Sequence, residues 1–296
     1  LRIEPYNFRI LGSVAVFKTI VSLDVKIYVP HDALRGYVMN ISTVDASLAA
    51  GVRNVTTPYP PTPFQTLLFY CKDSVSMAQG NSGRFETQPR SVLVGPQVSR
   101  VNIRVADRLR AIRVDFRPGG LYRLLGVPMY ELLNGGFDAR DIFGSDMVSI
   151  SDRLDNVTLE QGKAVVEAFL LEKLASLKPI LPFDSAIQVL LGSNGRLSVE
   201  QTASLACLST KQFERKCKER LGMNPKMYSR ILRFSRAYRL HEASPRLSWT
   251  AIAHEAGYFD QMHMIREFRD FAGVNPSVIE HELRATPLRM QRDIFC

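Results

Sequence analysis

Residues 198–245, SVEQTASLACLSTKQFERKCKERLGMNPKMYSRILRFSRAYRLHEASP, decide how the rest of the chain is read. Ser198 stands where a helix N-cap belongs, with Gln201 three residues on, so the two residues can satisfy each other's orphan N–H groups. Ala203 is small where two crossing helices must approach closely, and Cys207 occupies the turn position that such units usually give to glycine. Ser209 caps a second helix, again with a glutamine, Gln212, in the capping-box position. Along that helix Phe213, Cys217 and Leu221 recur at i, i+4, i+8 and form an apolar back, while Lys211, Arg215 and Lys218 lie opposite. An apolar back with a donor-rich front is what a helix needs to enter the major groove of DNA. Arg215 has the geometry for a bidentate contact to guanine, and Lys218, further along, suits phosphate. Gly222 stops the helix, and Asn224-Pro225 open a third as N-cap and N1. In it Met227, Ile231, Phe234 and Tyr238 make an apolar line, and Arg230, Arg233, Arg236 and Arg239 sweep the other half. About 18 residues at ~1.5 Å rise give a strut of roughly 27 Å.

The pattern then repeats. SWTAIAHEAGYFDQMHMIREFRDFAGVNP (248–276) restates the first unit, with Ala253 matching Ala203, Gly257 matching Cys207, Arg266 matching Arg215, and GVNP matching GMNP. Its turn is one residue longer. Two helix-turn-helix units on a rigid connector can place their second helices about one DNA turn apart, ~34 Å, on one face.

Charge agrees with that reading. The chain of 296 residues carries a net +9, and residues 196–246 alone hold twelve Lys/Arg against four Asp/Glu. A concentrated basic segment is the footprint of a polyanion binder. Residues 248–282 carry two arginines against six acidic residues. The first unit and the strut are therefore expected to supply most of the counterion-release affinity, and the second unit register or selectivity. In this expectation Arg230 follows phosphates, and its loss flattens the salt dependence.

The length suggests two domains. Residues 1 to about 117 read as mostly β: VKIYV (25–29), TLLFY (66–70), SVLVG (91–95), VNIRV (101–105) and LRAIRVDF (109–116), separated by Pro- and Gly-rich connectors. Many short strands with such punctuation suggest a barrel or sandwich. TLEQGKAVVEAFLLEKLASL (158–177) reads as an amphipathic helix, with Thr158 and Gln161 as a capping box and Leu159, Val166, Phe169, Leu170 and Leu177 on one side. That side either pairs with a second subunit or packs on its own β domain; the sequence admits both. The expected division is a β-rich sensor at 1–155, a helical linker or dimerisation segment at 156–193, and a DNA-binding domain at 194–296. The fold class is α+β multidomain: a β-barrel or sandwich with helices, then an all-α double helix-turn-helix domain.

Four cysteines show no CxxC spacing, which suggests free thiols in a reducing cytosol. No run approaches a membrane span, and LRIEPYNFRI at the start does not read as a signal peptide.

Residues 196–282 resemble the AraC/XylS family of bacterial transcription regulators, on the two quoted units and the spacing between them. The resemblance implies a seven-helix domain acting at double-stranded promoter DNA with RNA polymerase as partner, no cofactor, and a cytoplasmic, nucleoid-associated location. Carried over by position, Thr210, Lys211, Glu214 and Arg215 match the DNA-facing sites of the first recognition helix. Gln261, Met262, His263 and Arg266 match those of the second. With the caps and flanking cations, the expected DNA-contacting set is Ser209, Thr210, Lys211, Gln212, Glu214, Arg215, Lys218, Arg230, Gln261, Met262, His263 and Arg266. Cys207 departs from the small turn residue commonly seen there. Met262 replaces a usually polar residue, which favours contact with a thymine methyl over a hydrogen bond.

The first half matches in position and β character the family's N-terminal sensor, often cupin-like. The expectation is a homodimer responding to a small-molecule effector. The alternative is a constitutive regulator whose first half only oligomerises. An enzyme is the remote third reading. Cupin metal chemistry needs clustered histidine and glutamate ligands, and the only histidine before residue 180 is His31, placed at a surface or turn. No catalytic residue, metal or cofactor is therefore expected. Tyr70, Arg113 and Phe116 are named as candidate cavity residues, without a ligand.

Overall fold

The computed structural model describes residues 20–80 and 82–285. The N-terminal stretch read for a signal peptide, and Cys296, lie outside the described residues. Two antiparallel sheets form the N-terminal part. The larger runs β1 (Ile20–Tyr28), β2 (Val38–Leu48), β9 (Arg108–Phe116), β4 (Thr66–Tyr70), β7 (Ser91–Val94), β10 (Gly136–Asp138) in spatial order. The smaller runs β3 (Val55–Tyr59), β8 (Val101–Val105), β5 (Ser76–Gln79), β6 (Glu86–Thr87).

The runs TLLFY and LRAIRVDF are nearly continuous in apolar residues because the large sheet is covered on both faces. Leu67 and Phe69 of β4, Leu93 of β7 and Ile112, Val114 and Phe116 of β9 pack into a layer of helices: α1 (Gly120–Leu125), α2 (Ala139–Phe143), α3 (Ser145–Leu154) and α4 (Leu159–Glu172). Their neighbours Thr66, Leu68 and Tyr70, Val92 and Val94, and Leu109, Ala111 and Arg113 face the other way, into a cavity walled by both sheets. The period of two along each strand thus divides one domain into two cores. Of the three residues named as cavity candidates, Tyr70 and Arg113 line it; Phe116 belongs to the helical side.

Thr158 and Gln161 form the expected capping box of α4. Its Val166, Phe169 and Leu170 are buried among the β-domain's own residues, and Tyr37 donates a 2.8 Å hydrogen bond to the Leu170 carbonyl. Of the two uses open to that face, packing on its own domain is the one made. α5 (Pro182–Gly192) goes elsewhere: Phe183, Ala186, Ile187 and Leu190 join the core of the C-terminal helices. The segment 156–193 is therefore shared between two cores. His31 sits at a surface turn, where its ring nitrogen accepts from the Ala33 N–H at 3.2 Å. No described helix is long and apolar enough to cross a membrane.

Candidate nucleic-acid interface

Among the described residues six helices follow α5: α6 (Val199–Leu205), α7 (Thr210–Leu221), α8 (Pro225–Ala243), α9 (Trp249–Ala256), α10 (Gln261–Ala272) and α11 (Pro276–Ala285). Ser198 with Gln201 and Ser209 with Gln212 form capping boxes, and Asn224 caps α8 with Pro225 at its first position. Asp260 caps α10, accepting from the His263 N–H at 2.6 Å. Phe213, Cys217 and Leu221 are fully buried at the back of α7, and Met264 and Phe268 at the back of α10. Burial drives the Cys217 thiol's pKa up, which keeps it neutral.

Cys207 takes a left-handed conformation, φ 54°, where its counterpart Gly257 has φ 86°. A side chain there works against the backbone, so Cys207→Gly should raise stability by up to about 1 kcal/mol. The check is the urea midpoint of the two proteins. Gly257→Ala should lower it, because a Cβ would also sit 3.0 Å from Arg196 Nε.

The fronts of the two helices are laid out alike. Arg215 and Arg266 are each the sixth residue of their helix, and both are exposed. The extra residue of the second turn is absorbed before the helix begins, and it pushes Phe259 out to 95% exposure. Sequence reasoning missed Phe259; the longer turn ahead of a fixed N-cap was the signal. On α7 the exposed set is Ser209, Thr210, Lys211, Gln212, Glu214, Arg215 and Lys218. Lys218 lies with its ammonium 5.7 Å from the ring of Tyr130 in the N-terminal part. On α10 Met262 is 56% exposed, Gln261 accepts from the Thr250 hydroxyl at 2.8 Å, and His263 lies 3.4 Å from Glu267.

Three of the strut's arginines pair with acidic residues of the second unit. Arg230 donates to Glu267 at 3.0 Å and to Asp270, with its guanidinium 5.0 Å from the Phe271 ring centre. Arg233 lies 3.4 Å from the same buried Glu267, and Arg236 binds Glu255. The acidic excess of the second unit thus faces the basic excess of the strut, and the two largely cancel within the fold. A charge count along the chain could not tell a phosphate-facing arginine from one bound to the next helix.

The N-terminal part touches this domain at defined points. Tyr122 donates to Glu219 at 2.5 Å, and Tyr228 donates to the Pro63 carbonyl at 3.3 Å. Arg100 makes a paired contact to Glu282 at 2.7 and 3.0 Å. A Cβ added at Gly222, the C-cap of α7, would come within 2.7 Å of Pro96 and 2.9 Å of the Met129 carbonyl.

Residues 202–281 match a family model described as a helix-turn-helix domain, and residues 26–138 match a domain of unknown function, DUF6597. Among solved structures the chain is similar to the DNA-binding domain of AdpA in complex with a target DNA (24% identity, 36% of this chain and 96% of that one, TM-score 0.34). It is also similar to ToxT from Vibrio cholerae O395 (12%, 80% and 99%, TM-score 0.45). An AraC-type regulator from Chromobacterium violaceum is a third likeness (25%, 36% and 95%, TM-score 0.33). No curated protein sequence matches the chain. Two helix-turn-helix units on one connecting helix thus span the part of the chain that the helix-turn-helix family model matches.

Proposed function

We infer that the protein binds promoter DNA in a sequence-specific manner through α7 and α10, and that its N-terminal domain adjusts this binding in response to a small molecule. The observation that carries the first clause is the pair of equivalent exposed helix fronts, each with an arginine at its sixth position. Ser209, Thr210, Lys211, Gln212, Glu214, Arg215 and Lys218 form the first reading surface, and Gln261, Met262, His263 and Arg266 the second. Phe259 joins the second as an apolar edge beside Met262. Arg230 acts as a brace between the units, because its charge is already spent on Glu267 and Asp270.

The second clause is supported by a cavity lined in part by a loop, residues 95–100, that also touches the C-terminal helices. The protein acts without enzymatic chemistry, in the bacterial cytoplasm, with RNA polymerase as its partner at the promoter. A homodimer forms through a surface other than the apolar side of α4, which is buried in its own domain.

Selection from random duplexes, followed by binding titrations at several salt concentrations, tests this reading. The enriched site should have two parts centred about one helical turn, ~34 Å, apart. Arg215→Ala should cost roughly 1–3 kcal/mol of specific binding and relax choice at one base position. Failure to enrich any sequence, or an Arg215→Ala profile identical to the parent, would overturn it.

A further inference from the structure

The cavity between the two sheets measures about 120 Å³. Apolar cavities of about 150 Å³ stay dry and take up benzene-sized molecules, so this one suits a ligand of roughly one ring. Its lining is largely aliphatic and aromatic, with Thr62, Thr66, Gln88 and Gln97 as neutral polar residues and Arg113 as the one charged group among the described residues. That guanidinium is not free for a ligand anion. It donates from Nε to Asp115 at 2.8 Å and from Nη1 to the Tyr59 hydroxyl at 2.8 Å, while Nη2 lies 2.7 Å from the same carboxylate and donates to the Thr66 hydroxyl at 3.4 Å. Thr66 also donates to that carboxylate oxygen at 2.9 Å, while Asp115 Oδ2 is buried without a partner. An anion entering here meets a guanidinium already paired with a carboxylate that is not itself among the lining residues. A cation meets the guanidinium. Either ion would be stripped of water with nothing left to compensate it.

A neutral polar group does have a waiting partner. Gln97 lines the cavity at 6% exposure, and its carboxamide has no hydrogen-bond partner among the described residues. An amide on the wall of an otherwise largely apolar cavity can offer a neutral guest both a donor and an acceptor. Its position in the chain is as informative as its chemistry. Gln97 lies in the loop GPQVSR (95–100), three of whose other residues touch the C-terminal helices. Pro96 abuts the C-cap of α7, Val98 packs against the core of the C-terminal helices, and Arg100 grips Glu282 on α11. One residue of the loop therefore faces the cavity while three of its neighbours are anchored on the C-terminal helices.

We propose that the cavity binds an uncharged, ring-sized, largely apolar molecule whose hydrogen-bonding group is held by the Gln97 carboxamide, and that the 95–100 loop reports its binding to α7 and α11. The proposal rests on the effector reading of the N-terminal domain and gives it a ligand class.

Three molecules of one shape and different charge test it: benzamide, benzoate and benzamidinium, titrated calorimetrically into the full chain without DNA. Benzamide should bind saturably and at least tenfold more tightly than either ion. Gln97→Leu keeps the volume and removes the polar group. It should weaken benzamide at least tenfold while leaving toluene binding unchanged. Equal or tighter binding of benzoate or benzamidinium, no binding by any of the three, or benzamide affinity unaffected in Gln97→Leu would overturn the ligand class. DNA affinity with and without saturating benzamide is measured separately. A severalfold change, lost in Arg100→Ala, supports the loop as reporter. Binding of benzamide with no change in DNA affinity would sink the effector reading while leaving the ligand class intact.

Discussion

Phe234→Ala should lower the stability of the DNA-binding region by about 3–5 kcal/mol, the range for removing a buried phenylalanine. The side chain is fully buried at the middle of α8. Its ring meets Phe268 edge-on at 4.9 Å and Phe271 at 5.2 Å, both on α10, and Tyr238 at 6.2 Å on its own helix. Phe268 in turn meets Trp249 of α9 at 5.5 Å. The loss is not confined to one unit, because a single core runs from Phe183 of α5 to Leu283 of α11. Both helix-turn-helix units should therefore unfold in one transition, displaced to lower urea, rather than one unit melting ahead of the other. Phe259→Ala is the matched control. The same residue type at 95% exposure should change stability by no more than about 0.5 kcal/mol. A similar loss in both variants, or two separated transitions in Phe234→Ala, would contradict the single shared core.

The sequence made the C-terminal domain legible because its signals are local. Caps at Ser198, Ser209 and Asn224 and the apolar lines of α7 and α8 lie within a turn or two of the residues they organise. The N-terminal sheets were legible only in part. The strands at 66–70 and 101–105 fall where their apolar runs suggested. β2, the eleven-residue strand between β1 and β9, gave no such signal, because Asn40, Ser42, Thr43, Asp45 and Ser47 interrupt its apolar residues. Ser42 and Thr43 are nonetheless buried. A polar residue can sit in a sheet when its surroundings accept it, and those surroundings come from β1 and β9, about 20 and 70 residues away in sequence. The same reason hid the partners of the strut's arginines. Arg230, Arg233 and Arg236 are bound by acids 19 to 40 residues downstream, and only the fold brings these together. Gln97 likewise carries no sequence signal; its interest lies wholly in which side of the loop faces the cavity.

Asp115→Ala is expected to cost about 3–5 kcal/mol, as much as a large core deletion, although it removes only a few atoms. Asp115 is fully buried and Arg113 nearly so, and their contact is the cavity's one ion pair. Burial works against the Arg113 charge, but the Asp115 carboxylate and the Tyr59 hydroxyl more than offset it and hold the guanidinium above its ordinary pKa. Removing the carboxylate leaves a buried cation with its best acceptor gone. The double variant Arg113→Met, Asp115→Leu separates the two contributions. Replacing a buried pair by apolar residues of similar volume is often neutral or stabilising, so this variant should recover most of the loss. Urea denaturation of the three proteins gives the comparison directly. If Asp115→Ala were nearly silent, Arg113 would have another partner or reach water, and its charge would then be available to a ligand. The ion-pair measurement therefore bears on the cavity's preference for uncharged molecules without any ligand being added. The double variant should also keep Gln97 in place on its loop, so that a neutral probe still binds when the cavity holds no charge at all.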